Sequence, residues 1–233
     1  MLQNLRDTGG HLTRHGERLR TGVLFRGDAP IHLDDATRAR LAALGLTTII
    51  DLRRGVERER RPSELGWFGG RVLEISLVGD ERRAVNPLNG GLAGFNHWLY
   101  RTRGGAIAEV VAALGSQVAL PALVHCSAGK DRTGLLVGLI HSWLGVPDDV
   151  VAEDYARSAE LLHADTDEAI DKQQVALGVN VRDRPDLLEA RPEWIVDALE
   201  EVRRTHGGAG DYLIANGAHP DDLGRLRAAL VDA

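Results

Sequence analysis

Short apolar runs alternate along the chain with polar, Pro- and Gly-bearing stretches, the pattern of strands and helices taking turns. Val23-Leu24-Phe25 predicts a strand. Asp34 is placed to cap a helix over 35–44, which Gly45 stops. Leu46 to Leu52 is rich in β-branched residues and predicts a second strand, and Arg71 to Val78 a third. Glu81 to Gly94 is polar and Gly-rich and reads as a mobile lid, with a helix beginning around Phe95, Trp98 and Tyr100. A helix over about 105–117 leads past Pro121 to a buried strand, Ala122-Leu123-Val124, and a mostly apolar helix over 133–145. Helices then fit near 148–162, 165–177, 192–206, 209–216 and 220–231. Pro192 in a first turn, Gly207 past an end and Pro220 before Asp221-Asp222 follow the usual start and stop signals.

No break in composition and no internal repeat divides this pattern, so residues 1–233 read as one domain. The expected fold is α/β: a central, mostly parallel sheet of about four or five strands flanked by helices, with a helical C-terminal part.

Composition adds limits. The 233 residues leave room for one substantial core, and the 43% apolar share is ordinary. Aromatics are only 4%, so Leu, Val and Ala must carry the packing. A formal net charge of −6 argues against nucleic acid as the main partner. The single cysteine excludes an internal disulfide and points to a reducing compartment. Met1 to Asp7 lacks the apolar core of a signal peptide, and no apolar run approaches membrane-spanning length. A cytoplasmic protein is expected, although export without a signal would leave no trace in the sequence. His11 and His15 are four apart, but Gly9, Gly10 and Gly16 break any helical face between them. They read as loop histidines, and neither a metal nor a cofactor is expected.

Between the strand at 122–124 and the helix that follows lies His125-Cys126-Ser127-Ala128-Gly129-Lys130-Asp131-Arg132-Thr133-Gly134. A strand, a tight turn and a helix put the turn's N–H groups at a helix N-terminus, where an anion is favoured. Cys126 opens the turn and Arg132 closes it. Small Ala128 and Gly129 let the backbone approach a tetrahedral oxyanion, and Gly129 can adopt positive φ. The Arg132 fork can hold two equatorial oxygens. A phosphate there would sit above the Cys126 sulfur, so the loop points to phosphoryl transfer with a cysteine nucleophile. A nucleotide-binding Gly-x-x-x-x-Gly-Lys-Ser/Thr loop does not fit, because Val124 stands at the first Gly position and Asp131 follows the lysine. The remaining readings are a buried structural cysteine, a sulfur-transfer loop and a module that binds phosphorylated ligands without turnover.

These ten residues resemble the His-Cys-x-Ala-Gly-Lys-Asp-Arg-Thr-Gly signature of bacterial tyrosine phosphatases that also act on phosphoinositides. Lys130 and Asp131 are the distinguishing pair. The resemblance extends to Asn4-Leu5-Arg6-Asp7, to Leu24-Phe25-Arg26 and to Asp154-Tyr155 with Ser158. It implies a protein-tyrosine-phosphatase-like fold and a phosphocysteine intermediate. In this stretch after Val78 the chain looks trimmed relative to the family's type example.

Such chemistry needs an acid for the departing oxygen and a base for the attacking water. Asp80 leaves the third strand, and the resemblance makes it first choice because the family's acid follows the same strand. Asp131 is the rival. Ser127, Ala128, Gly129 and Lys130 are expected to line the phosphate, with Thr133 bonded to the sulfur and His125 orienting the loop. Arg53 and Arg54 leave a strand's carboxyl end, where ligands of open sheets gather, so one of them, with Arg53 the named candidate, is expected to hold acidic substrate or to orient the loop. The rest of the charge run, Arg58 to Arg60, reads as a solvated helix face. Phe95, Trp98 and Tyr100 offer an aromatic wall but fit ordinary helix packing better. The expected substrates are phosphotyrosine proteins, with phosphoinositides as the alternative suggested by Lys130 and the nearby arginines. Phosphate, vanadate or sulfate are the expected site ligands.

Overall fold

The computed structural model describes residues 2–79, 90–162, 170 and 180–232. Asp80, the stretch 81–89 and nearly all of the helix expected over 165–177 lie outside the described residues. Five strands form one sheet: β1 (Arg6–Asp7), β2 (Leu24–Gly27), β3 (Thr48–Asp51), β4 (Arg71–Glu74) and β5 (Ala122–His125). Their order is β1-β2-β5-β3-β4, with β1 antiparallel to β2 and the other pairs parallel. The α/β expectation is met.

Side chains alternate across a strand, so each central strand divides its apolar residues between two layers. Leu24, Ile50, Ala122 and Val124 face one core, while Phe25, Ile49 and Leu123 face the other. The smaller layer is closed by Leu2, Leu5, Leu33 and Leu41, the last from α1 (Asp35–Ala43). Asp34 caps α1 as its position predicts, accepting from the Thr37 amide at 2.8 Å. The larger layer takes α3 (Gly91–Thr102), α4 (Gly104–Leu114), α5 (Asp131–Leu144) and α6 (Asp148–Leu161). It also takes the C-terminal helices α7 (Pro192–His206), α8 (Ala209–Ala215) and α9 (Pro220–Leu230). A six-residue helix, α2 (Gly55–Arg60), follows β3 directly.

Two sequence expectations need correction. The third strand stops at Glu74 rather than Val78, because β4 is an edge strand whose residues are mostly exposed. Helix α3 begins at Gly91, inside the stretch read as a lid. Leu92, Phe95, Asn96 and Leu99 form one buried stripe at helical spacing, which the flanking glycines obscured. Phe95 and Tyr100 of this helix are core residues, and the Tyr100 hydroxyl donates to the Leu135 carbonyl at 2.8 Å. Among the described residues no helix is long and apolar enough to cross a membrane.

Since Leu123 is wholly buried on the central strand, Leu123→Ala should lower unfolding free energy by about 2–5 kcal/mol. Urea denaturation followed by far-UV circular dichroism checks this.

Candidate active site

The turn between β5 and α5 is fixed through its carbonyls. Cys126 O meets His125 Nδ1 at 3.1 Å, and Ser127 O accepts from the Ala29 amide at 3.0 Å. Ala128 O accepts from Asn4 Nδ2 at 2.9 Å, and Gly129 O from Arg26 Nη2 at 2.8 Å. Lys130 O accepts from the Gly134 amide at 2.8 Å. In a trans peptide the next N–H points opposite to the carbonyl. Five carbonyls held by the scaffold therefore turn the amides of Ser127 to Asp131 the other way, at the N-terminus of α5. Gly129 has φ of 66°, and a Cβ there would lie 2.2 Å from the Gly27 carbonyl oxygen. Only glycine lets the turn pack this closely on the end of β2.

The donors beneath the turn are themselves held by charge. Arg26 is wholly buried, and its Nη1 donates to Asp154 Oδ2 at 2.6 Å. Arg6 Nε donates to Asp154 Oδ1 at 2.7 Å, and its Nη2 reaches Asp154 O at 2.7 Å and Ser158 Oγ at 3.2 Å. Arg6 also donates to the Asn4 side-chain oxygen, which leaves the Asn4 amide aimed at Ala128. Burial alone would raise the Asp154 carboxyl pKa, but Arg26 and Arg6 hold it well below the usual carboxylate range. For Arg6, burial and then Arg26 lower the guanidinium to about 10.

Arg132 is held by a residue the sequence did not single out. Glu57, on α2 and 1% exposed, accepts Arg132 Nη1 on Oε2 and Nη2 on Oε1, both at 2.8 Å. Ser127 Oγ donates to Oε1 at 2.7 Å, and the Arg54 amide and Nε each donate to Oε2 at 3.1 Å. Burial opposes ionisation of Glu57, yet Arg132 and these bonds bring its pKa down to about 2. Burial likewise disfavours the Arg132 charge, and Glu57 more than reverses that, raising it further above its ordinary value. The pairing takes one hydrogen from each Nη, so Nε–H and the outer Nη hydrogens can still meet an anion.

The other expected residues divide. Cys126, 2% exposed, opens the turn, and Ser127 to Lys130 lie between it and the start of α5 at Asp131. His125 is buried beside it. Its Nδ1 carries the proton donated to Cys126 O, and burial lowers the imidazole pKa, so it serves as a neutral support. Among the described residues the buried Thr133 Oγ1 has no hydrogen-bond partner, the Cys126 sulfur included. Arg53, offered as a substrate contact or a loop-orienting residue, has its guanidinium bonded within the protein. Its guanidinium is spent on Asp51 at 2.6–3.0 Å, on Arg61 O at 2.7 Å and on Ser63 Oγ at 2.8 Å. Asp51 in turn lies 3.8 Å from His125 Nε2. Lys130 is also turned inward, donating to Leu187 O and Glu189 O, both at 2.7 Å. Asp131 opens α5, with Oδ1 3.6 Å from Lys130 Nζ.

A model of the tyrosine phosphatase family matches residues 1–232. The triple specificity protein phosphatase PtpB of Mycobacterium tuberculosis is 29% identical over 272 aligned residues, covering 98% of this chain and 96% of its own. A putative tyrosine-protein phosphatase of Cupriavidus necator is 29% identical over 223, covering 91% and 80%. Among solved structures, the Siw14 catalytic core is 17% identical with a TM-score of 0.41, covering 76% of this chain and 86% of its own.

Glu57→Gln keeps the shape but leaves Arg132 without its buried counter-charge, and should cost about 3–5 kcal/mol at pH 7. Because the Glu57 pKa is depressed from 4.5 to about 2, its contribution is complete above pH 4.5 and fades as pH falls toward 2. Urea titrations at stepped pH should therefore show the gap between wild type and variant narrowing only below about pH 4.5. A gap unchanged at pH 3 counts against an ionised Glu57.

Proposed function

The chain belongs to the tyrosine phosphatase family, and on that premise we propose that it hydrolyses phosphotyrosine in proteins through Cys126, as one phosphatase domain. The observation carrying this reading is the set of five loop carbonyls held by the scaffold, with the amides turned to the opposite side beside Cys126 and Arg132. Such a ring suits an oxyanion whose charge redistributes in the transition state.

In the first step the Cys126 thiolate attacks phosphorus. An S–P bond forms as the P–O bond to the phenol breaks, and a carboxylic acid protonates the departing phenolate oxygen. In the second step the same carboxylate takes a proton from water. The water oxygen displaces the sulfur, releasing inorganic phosphate and the thiolate. Ser127, Ala128, Gly129 and Lys130 supply amides to the equatorial oxygens, and Arg132 supplies its fork. Asp80 is the acid in this scheme, as the family resemblance suggests, and Asp131 is the candidate held within the loop.

The burial of the nucleophile supports a preference for phosphotyrosine. Cys126 is only 2% exposed, which favours a long aryl ester over a short alkyl one. The phosphoinositide alternative drew on Lys130 and the nearby arginines, and of these Lys130 and Arg53 have side chains bonded within the protein.

Cys126→Ser should reduce hydrolysis of an aryl phosphate by at least about 10³-fold while vanadate still binds, measured by steady-state kinetics and isothermal titration. Substantial turnover in that variant would exclude the thiolate route. Asp80→Asn should remove one limb of the pH–rate profile and lower kcat. If Asp131→Asn does so instead, the acid is Asp131.

A further inference from the structure

Lys130 has an environment that the proposed chemistry does not use. Its side chain is 1% exposed, and Nζ donates to two backbone carbonyls of one segment, Leu187 and Glu189. The Asp131 carboxylate lies 3.6 Å away on the same side. That segment is a 3-10 turn, Pro185–Leu188, leading to Arg191 and α7. Within it, the Leu187 amide donates to Arg184 O at 3.0 Å and the Glu189 amide to Asp186 O at 3.4 Å. Its ion pairs, Arg184 with Asp186 and Arg191 with Glu189, are local and solvent-facing. Leu187 in the turn and Ala190 just beyond it enter the larger core, so apolar anchors lie beside the carbonyls that Lys130 holds.

A buried ammonium and buried carbonyls hold each other in place, because separating them strands both without partners. For Lys130 to swing out to a second phosphate, the two carbonyls would have to give up their donor. The cost falls on binding a polyphosphate, not on holding the turn. We propose that Lys130 is a positioning residue that clamps the Pro185–Leu188 turn against the signature loop, and not a contact for additional substrate phosphates. This deepens the phosphatase reading and rests on it only for kinetics, since the clamp itself can be read without turnover.

The experiment compares wild type with Lys130→Met by hydrogen–deuterium exchange and by steady-state kinetics on a phosphotyrosine peptide and a short-chain phosphoinositide. Exchange of the 184–190 amides should accelerate by about tenfold or more, with the central strands unchanged. In the kinetic arm, kcat/KM should fall by a similar factor on both substrates. Unaltered exchange at 184–190 would overturn the clamp, and so would a loss confined to KM for the phosphoinositide. If the Met variant does not fold, Lys130→Gln, which keeps a donor without the charge, is read by the same criteria. Should wild type hydrolyse neither substrate, the functional reading fails, while the exchange arm still decides the clamp.

Discussion

The arrangement depends on keeping the signature loop's carbonyls occupied on one side so that its amides face the other. Peptide planarity makes the two conditions one. A loop free to rotate would lose part of any oxyanion's stabilisation to reorganisation, and donors fixed beforehand avoid that cost. Here the fixing donors come from far along the chain: Asn4, Arg26 and the Ala29 amide. They need support of their own, because a buried guanidinium without a counter-charge is expensive. Asp154 provides it, shared between Arg26 and Arg6.

A second constraint acts on Arg132. An arginine that must grip a transient anion has to stay put when the anion is absent. Glu57 achieves this bidentately while also taking Ser127 Oγ, so a single carboxylate orients both ends of the loop. The outcome is a site with an ionised carboxylate behind the cation. The arginine's charge is partly balanced without being displaced from the place where phosphate would sit.

How far the sequence disclosed this follows from which residues carry local signals. Strand, turn and helix around Cys126 were legible because apolar runs flank a spacing that few other loops share. Asn4, Arg6, Arg26, Asp154 and Ser158 were noticed through resemblance alone, and the structure gathers all five beneath the turn. Glu57 was not legible. It stands in a run of alternating charge that has the appearance of a solvated face, and only α2's placement against Arg132 distinguishes it from Glu59. Its one local signal was weak: a Glu three residues after Arg54 can reach back to that residue's amide, as it does here. Arg53 misled for a related reason. A strand's carboxyl end is where ligands collect, yet Asp51 two residues earlier captures the side chain. The start of α3 was missed because glycines weaken a helical pattern that burial then restores.

The sequence distances within this scaffold have a consequence for how the protein comes into being. Asn4 meets Ala128 across 124 positions, and Arg6 meets Asp154 across 148. The first cannot form on the ribosome until Ala128 has been made, and the second not until Asp154, beyond α5, has been made. Contacts so remote close late and slowly. The cysteine loop therefore takes its working shape only near the end of folding. A partly made or misfolded chain exposes an ordinary thiol, and the surroundings of Cys126 depend on the integrity of the whole fold.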